Sequence, residues 1–134
     1  GWGGMGQLGH GDTKSYRSPK RVSAACGRKI AEVACGVGHT VARTEDGELW
    51  MWGWDRGWDP FVAAGGQSDT SLMIPRLIVL DPTRQLAVTK VACGRTHTAV
   101  IAEDIGLKLE KERKRKSEVE EEQVQQLKLK EIGK

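Results

Sequence analysis

The chain has no apolar run near the ~20 residues needed to cross a bilayer, and its first residues lack the charged and apolar regions of a secretory signal peptide. Cysteine is scarce. Cys26, Cys35 and Cys93 are odd in number and cannot form a fully paired disulfide framework. Without a signal peptide they are expected to be thiols of a reducing, intracellular compartment, nuclear or cytoplasmic. Gly1–Gly11 is glycine-rich, yet no Gly-Lys-Ser/Thr follows it and no strand–helix unit surrounds it, so turn glycines are a better account than a phosphate-binding loop. A large surplus of either charge is also missing: Lys and Arg number 21 against 18 Asp and Glu, and a formal net charge of +3 is too small to point to nucleic acid by itself. The 134 residues begin at Gly1 rather than Met, so a processed product or a fragment is expected.

What is present is a repeat. Val33 to Thr40 reads VACGVGHT and Val91 to Thr98 reads VACGRTHT, with His39 and His97 58 positions apart. Pro19-Lys20-Arg21-Val22 lines up with Pro75-Arg76-Leu77-Ile78 at an offset of 56, and Gly1-Trp2 with Gly53-Trp54 at 52. The same landmarks recur in the same order with small insertions, so one unit is written twice. A period of this length points to a propeller or solenoid. Strand signals agree. Lys29–Cys35 is a short apolar run ending at Gly36, and His39–Thr44 alternates as a half-buried strand does. Asp46-Gly47 suits a tight type I′ hairpin turn, and Glu48–Trp52 is an aromatic-rich third strand closed by Gly53. Three short strands in one unit predict a β-meander.

Taken together, Gly1-Trp2-Gly3-Gly4-Met5-Gly6-Gln7-Leu8-Gly9-His10-Gly11-Asp12, Pro19, Val22, VACGVGHT and Asp46-Gly47-Glu48-Leu49-Trp50-Met51-Trp52-Gly53 resemble the regulator of chromosome condensation repeat. The resemblance covers about residues 1–106. It implies an all-β fold, a seven-bladed β-propeller with four-stranded blades, of which this chain holds about two: unit one at about 1–53 and an incomplete unit two at about 53–106. In unit two the GQLGHGD segment is replaced by the longer Gly57–Asp69. After Asp104-Ile105-Gly106, where the family places a Leu-x-x-Trp-Gly strand, the chain turns strongly charged. Fewer than three repeats rarely bury a stable core, which again predicts a fragment.

Composition shifts near Gly106: all the Trp and Pro lie before it, and one Gly lies after it. Residues 107–134 are rich in Lys, Glu, Gln and Leu and are expected to form a charged helix or a disordered tail. Val119, Val124, Leu127, Leu129 and Ile132 do not hold a heptad. Arg113-Lys114-Arg115-Lys116 is a candidate nuclear-import signal or nucleic-acid patch, offset by Glu118 and Glu120–Glu122.

Cys35, His39, Cys93 and His97 carry the atoms of a Cys2His2 zinc site, but each C-x3-H lies on a strand–turn–strand of a separate unit. A structural turn, with glycine for tightness and the His-Thr opening the next strand, accounts for both copies. A Cys–His nucleophile is weaker still, since no orienting Asp or Asn has a place and a single active site is not duplicated. No catalytic, metal or cofactor site is expected. Trp50 and Trp52 are expected to alternate with Met51, one or both filling the core between blades. Trp54 and Trp58, with Arg56 stacked between them, form a candidate partner-binding surface.

The expected function is a non-enzymatic scaffold for protein–protein interaction. The family resemblance implies either a small-GTPase regulator, of the guanine-nucleotide exchange type that acts on Ran and associates with chromatin through a partner, or an adaptor propeller within a larger protein. It also offers an alternative, since the plant ultraviolet-B photoreceptor resembles the same family. That receptor, however, has Gly-Trp-Arg-His-Thr where this chain has Gly36-Val37-Gly38-His39-Thr40 and Gly94-Arg95-Thr96-His97-Thr98.

Overall fold

The computed structural model describes residues 1–23, 27–54 and 72–133. Among these residues six strands and one helix follow in order: β1 Ile30–Cys35, β2 His39–Thr44, β3 Leu49–Gly53, β4 Leu72–Ile78, β5 Leu86–Cys93, β6 Thr98–Asp104 and α1 Ile105–Ile132. Strands β1 to β4 form an antiparallel meander in chain order, and β5 pairs with β6 in a second sheet. The molecule is a partial β-propeller, with one four-stranded blade and two strands of the next.

The first blade is not one copy of the sequence repeat. Its outer strand β4 carries Pro75–Ile78 and pairs Leu49 with Ile78, Trp50 with Leu77 and Met51 with Arg76. The three strands read from the first unit are thus completed by a strand from the second. The hairpin between β2 and β3 differs from the expected type I′ turn. Gly47 has a φ of +83°, but among the described residues no non-glycine has a positive φ, so Asp46 does not. Gly47 N–H donates to the Thr44 carbonyl at 3.1 Å, and Thr44 N–H to the Glu48 carbonyl at 3.0 Å. This is the three-residue loop in which a type I turn is followed by a left-handed glycine, and it needs one positive φ rather than two.

Val41, Leu49, Met51 and Ile78 of the first blade are buried together with Val88 and Val91 of the second. Strand periodicity decides which side chains get there: Val41 pairs with Met51, so both project to the same face. Between these sheets the filling residues on β3 are therefore Leu49 and Met51, whereas the sequence suggested Trp50 or Trp52. Trp52 packs with Ala42 on the opposite face, with Trp50 beside them. There the Trp52 indole N–H donates to the Gln7 carbonyl at 2.8 Å, and the Thr40 hydroxyl donates to the same oxygen at 2.9 Å. The glycine-rich segment 1–12 is thereby fixed to the blade, and Gly11 N–H ties it to the Met73 carbonyl of β4 at 2.9 Å.

The blades are also joined through polar groups. Val88 N–H donates to the Gly47 carbonyl at 2.9 Å. Arg43 Nε donates to Glu32 Oε2 at 2.9 Å, and Val91 N–H reaches the same carboxylate oxygen at 3.3 Å. Where the repeat would place another strand, Asp104 instead caps a helix, its side chain accepting from Leu107 N–H at 3.1 Å. Good helix formers then carry α1 for 28 residues with none buried. No helix among the described residues is long and apolar enough to cross a membrane.

Candidate functional site

The two VACGxxHT words form the same turn twice. In each, the glycine N–H donates to the carbonyl of the histidine three residues on: Gly36 to His39 at 2.9 Å and Gly94 to His97 at 2.8 Å. In each, the imidazole lies directly on the glycine. A Cβ added at Gly36 would stand 2.2 Å from His39 Cε1, and one at Gly94 would stand 2.1 Å from His97 Cε1. The glycines are therefore there to admit the rings. The spacing that matters is G-x-x-H rather than C-x3-H.

The turns also touch each other. His39 Nε2 and Thr98 Oγ1 share a hydrogen bond of 3.0 Å between the first blade and the second. Val37 N–H donates to the Arg95 carbonyl at 3.0 Å. The sequence repeat predicts the equivalence of the turns but not these cross-links. The recurring Thr after each His was the signal available, because a hydroxyl beside a strand start can meet the neighbouring blade's imidazole. Cys93 Sγ lies 3.8 Å from Thr98 Oγ1, and burial pushes its thiol up from the usual range, with the Thr98 contact opposing. An upward shift disfavours the thiolate and so disfavours nucleophilic chemistry. Among the described residues no three His, Cys, Asp or Glu side chains come together as a metal site.

Above this junction stands Trp54, the residue after β3. Its N–H donates to the Gly38 carbonyl at 2.8 Å, and its side chain is 39% exposed. Val37, Gly38, His39, Trp54, Arg95 and Thr96 line one small hollow that draws on both blades. Arg56 and Trp58, the other residues of the candidate surface, lie outside the described residues, as does Cys26. Arg113, Lys114, Arg115 and Lys116 are all exposed on α1, and Lys114 pairs with Glu110 at 3.2 Å. None of these four lines the hollow at the turn junction.

Electrostatics around the blades is set by short-range partners. Arg43, donating to Glu32, is the largest cause holding that carboxyl below its ordinary value of 4.5, with the Val91 N–H adding to it. Asp12 is likewise held down, first by the Tyr16 hydroxyl at 2.6 Å and then by the Lys14 N–H. Both groups staple loops or sheets to one another, and neither faces an enclosed site.

Comparison with known proteins agrees with this geometry. The regulator of chromosome condensation (RCC1) repeat profile matches residues 1–43. The chain is 34% identical over 102 residues to the ultraviolet-B receptor UVR8 of Arabidopsis thaliana, covering 75% of this chain and 22% of the receptor. It is 36% identical over 106 residues to the E3 ubiquitin-protein ligase HERC2 of Homo sapiens, covering 78% of this chain and 2% of the ligase. Similarity to the serine/threonine-protein kinase Nek9 of Xenopus laevis is 34% over 92 residues, 69% of this chain and 9% of the kinase. The chain thus spans about a fifth or less of each of these relatives. The crystal structure of human WBSCR16 superposes with a TM-score of 0.62 at 28% identity, covering 75% of this chain and 24% of that one. The repeated turn, the blade it belongs to and these matches lead to one conclusion: the chain carries the regulator of chromosome condensation repeat.

Proposed function

We propose that this chain is a non-enzymatic propeller scaffold that binds a protein partner at the junction of its two repeated turns. The observation that carries the reading is the placement of Trp54, an exposed aromatic anchored by its backbone to Gly38. It shares a hollow with Arg95 and Thr96 of the second blade. Large aromatic side chains and arginine beside a cleft are what protein interfaces use as anchors. Arg56 and Trp58 belong to the same proposed surface. The matched relatives carry the names of a receptor, a kinase and a ligase; a segment shared among such different proteins fits a binding role better than a catalytic one.

The partner class proposed is a small GTPase, with the propeller favouring its nucleotide-free form and so speeding exchange. That is a population shift that needs differential affinity and no bond chemistry. The test is capture of partners by the full chain beside a variant with Trp54, Arg56 and Trp58 replaced by Ala. Partners held by both chains alike would remove the surface assignment. Release of labelled nucleotide from a panel of small GTPases then tests the finer reading, and no acceleration across the panel would remove it. The ultraviolet-B receptor match supports an alternative in which the tryptophans absorb light. It requires a change of oligomeric size under ultraviolet-B that disappears in Trp54→Phe or Trp58→Phe, and a light-insensitive size would remove it.

A further inference from the structure

α1 is 28 residues long and buries none of them, so at 1.5 Å per residue about 42 Å of helix stands uncovered. A helix that buries no side chain and touches little is marginal in water unless something pairs with it. Its own side chains supply only a little; Lys114–Glu110 is an ion pair of i,i+4 spacing on an exposed surface.

The charged blocks at the middle of α1 are antisymmetric about Glu118. At equal distances on either side stand Lys116 and Glu120, Arg115 and Glu121, and Lys114 and Glu122. Further out the same operation places Leu109 on Leu127 and Leu107 on Leu129, within two copies of Leu-Lys-Leu. Rotation of the helix end for end therefore exchanges its basic block for its acidic block and leaves its leucines matched. Leu109, Arg113, Lys116, Glu120, Val124 and Leu127 also follow one another at steps of three or four, so they share one face. Three of them are apolar yet open to solvent, with Leu109 at 51%, Val124 at 50% and Leu127 at 63%.

We propose that α1 docks antiparallel on α1 of a second copy of this chain, about a two-fold axis beside Glu118. Leu109 of each copy then lies by Leu127 of the other, and Lys116 by Glu120 of the other, each contact occurring twice as an isologous interface requires. Glu118 is outside the three-and-four series and so faces away from the seam, which spares it a like-charge contact with its twin. A parallel pair would set Lys116 against Lys116 and Glu120 against Glu120, and like charges at such positions repel. Charge thus selects both orientation and register, and the leucines close the ends. The inference rests on α1 alone and is independent of the partner-binding reading above.

The test is the mass of the full chain in solution, by sedimentation velocity over a concentration series at low and high salt. The native chain should dimerise, and the dimer should weaken with salt because its register is set by exposed charge pairs. Lys116→Glu alone and Glu120→Lys alone should each weaken self-association about tenfold or more, since two attractive pairs become two repulsive ones. Mixing the two variants should restore a dimer of one copy of each, because both contacts between positions 116 and 120 are then again between opposite charges. A native chain that stays monomeric at about 200 μM overturns the proposal. So does a mixture that remains monomeric, or a charge reversal that leaves the dimer unchanged. A native helix that stays monomeric but binds an acidic polymer would make the basic block a nucleic-acid patch and would equally overturn it.

Discussion

Replacing Gly36 by Ala should destabilise the protein far more than the same change at Gly94, although both sit in the same turn of the same repeat. At each site the new methyl overlaps the histidine ring, at 2.2 Å from His39 Cε1 and 2.1 Å from His97 Cε1, so the ring must move. His39 has nowhere to go. It is buried, and its Nε2 is held 3.0 Å from Thr98 Oγ1 of the next blade. Moving it forfeits that hydrogen bond, about 1 kcal/mol, and forces overpacking of a closed junction, about 1–3 kcal/mol. The expected loss is about 2–4 kcal/mol. His97 is exposed, and its ring can rotate into water, so Gly94→Ala should cost less than about 1 kcal/mol. Urea unfolding of the two variants, with His39→Ala as a second background, measures both terms. Once the His39 ring is gone, Gly36→Ala should become nearly neutral, since the pair is strongly coupled. Equal midpoints for the two alanine variants would refute the reasoning, as would a Gly36→Ala cost unchanged by loss of the ring.

Two further outcomes follow from the interface between the blades. Glu32 has a folded-state pKa depressed below 4.5 by Arg43 and the Val91 N–H, so its contribution is fully present above that value. It is lost as pH falls through the depressed folded value; Glu32→Gln should therefore flatten the stability profile below about pH 4.5 relative to the native chain, in thermal melts at stepped pH. Val41 is fully buried between the sheets at 0% exposure, and Val41→Ala should cost about 2 kcal/mol through lost burial and the cavity left behind. Val33→Ala on exposed β1 should stay within about 0.5 kcal/mol in the same denaturant titration.

The first three strands were legible in the sequence to within a residue, because alternation and glycine punctuation are local signals that the tertiary structure did not override. Register within the blade was less so. Met51 rather than a tryptophan meets the second blade because Val41 and Met51 are cross-strand partners, and pairing is a property of two segments read together. The origin of the fourth strand was hidden for a similar reason: residues 72–78 join β3 across the long segment that separates them in sequence. At the candidate site, the repeat located both turns but read their glycines as a means of tightness, whereas they make room for the histidine rings. It did not reveal that His39 bonds the threonine of the other copy of its own motif, a contact between positions 59 residues apart. Trp54 was chosen for its chemistry, and the structure adds that it overhangs the meeting point of both copies.

The completion of the first blade by β4 has a consequence for how such a chain changes length. What duplication copies is a stretch of sequence, but what folds is a sheet that takes its last strand from the following stretch. The two units are out of phase, like bricks laid in staggered courses. In an array with a further unit beyond the cut, removing one whole stretch would leave the three strands before it facing a fourth strand of the same kind as the one they lost; in this chain α1 follows the second unit instead. Copy number can then rise or fall while the sheets on either side of the junction remain whole.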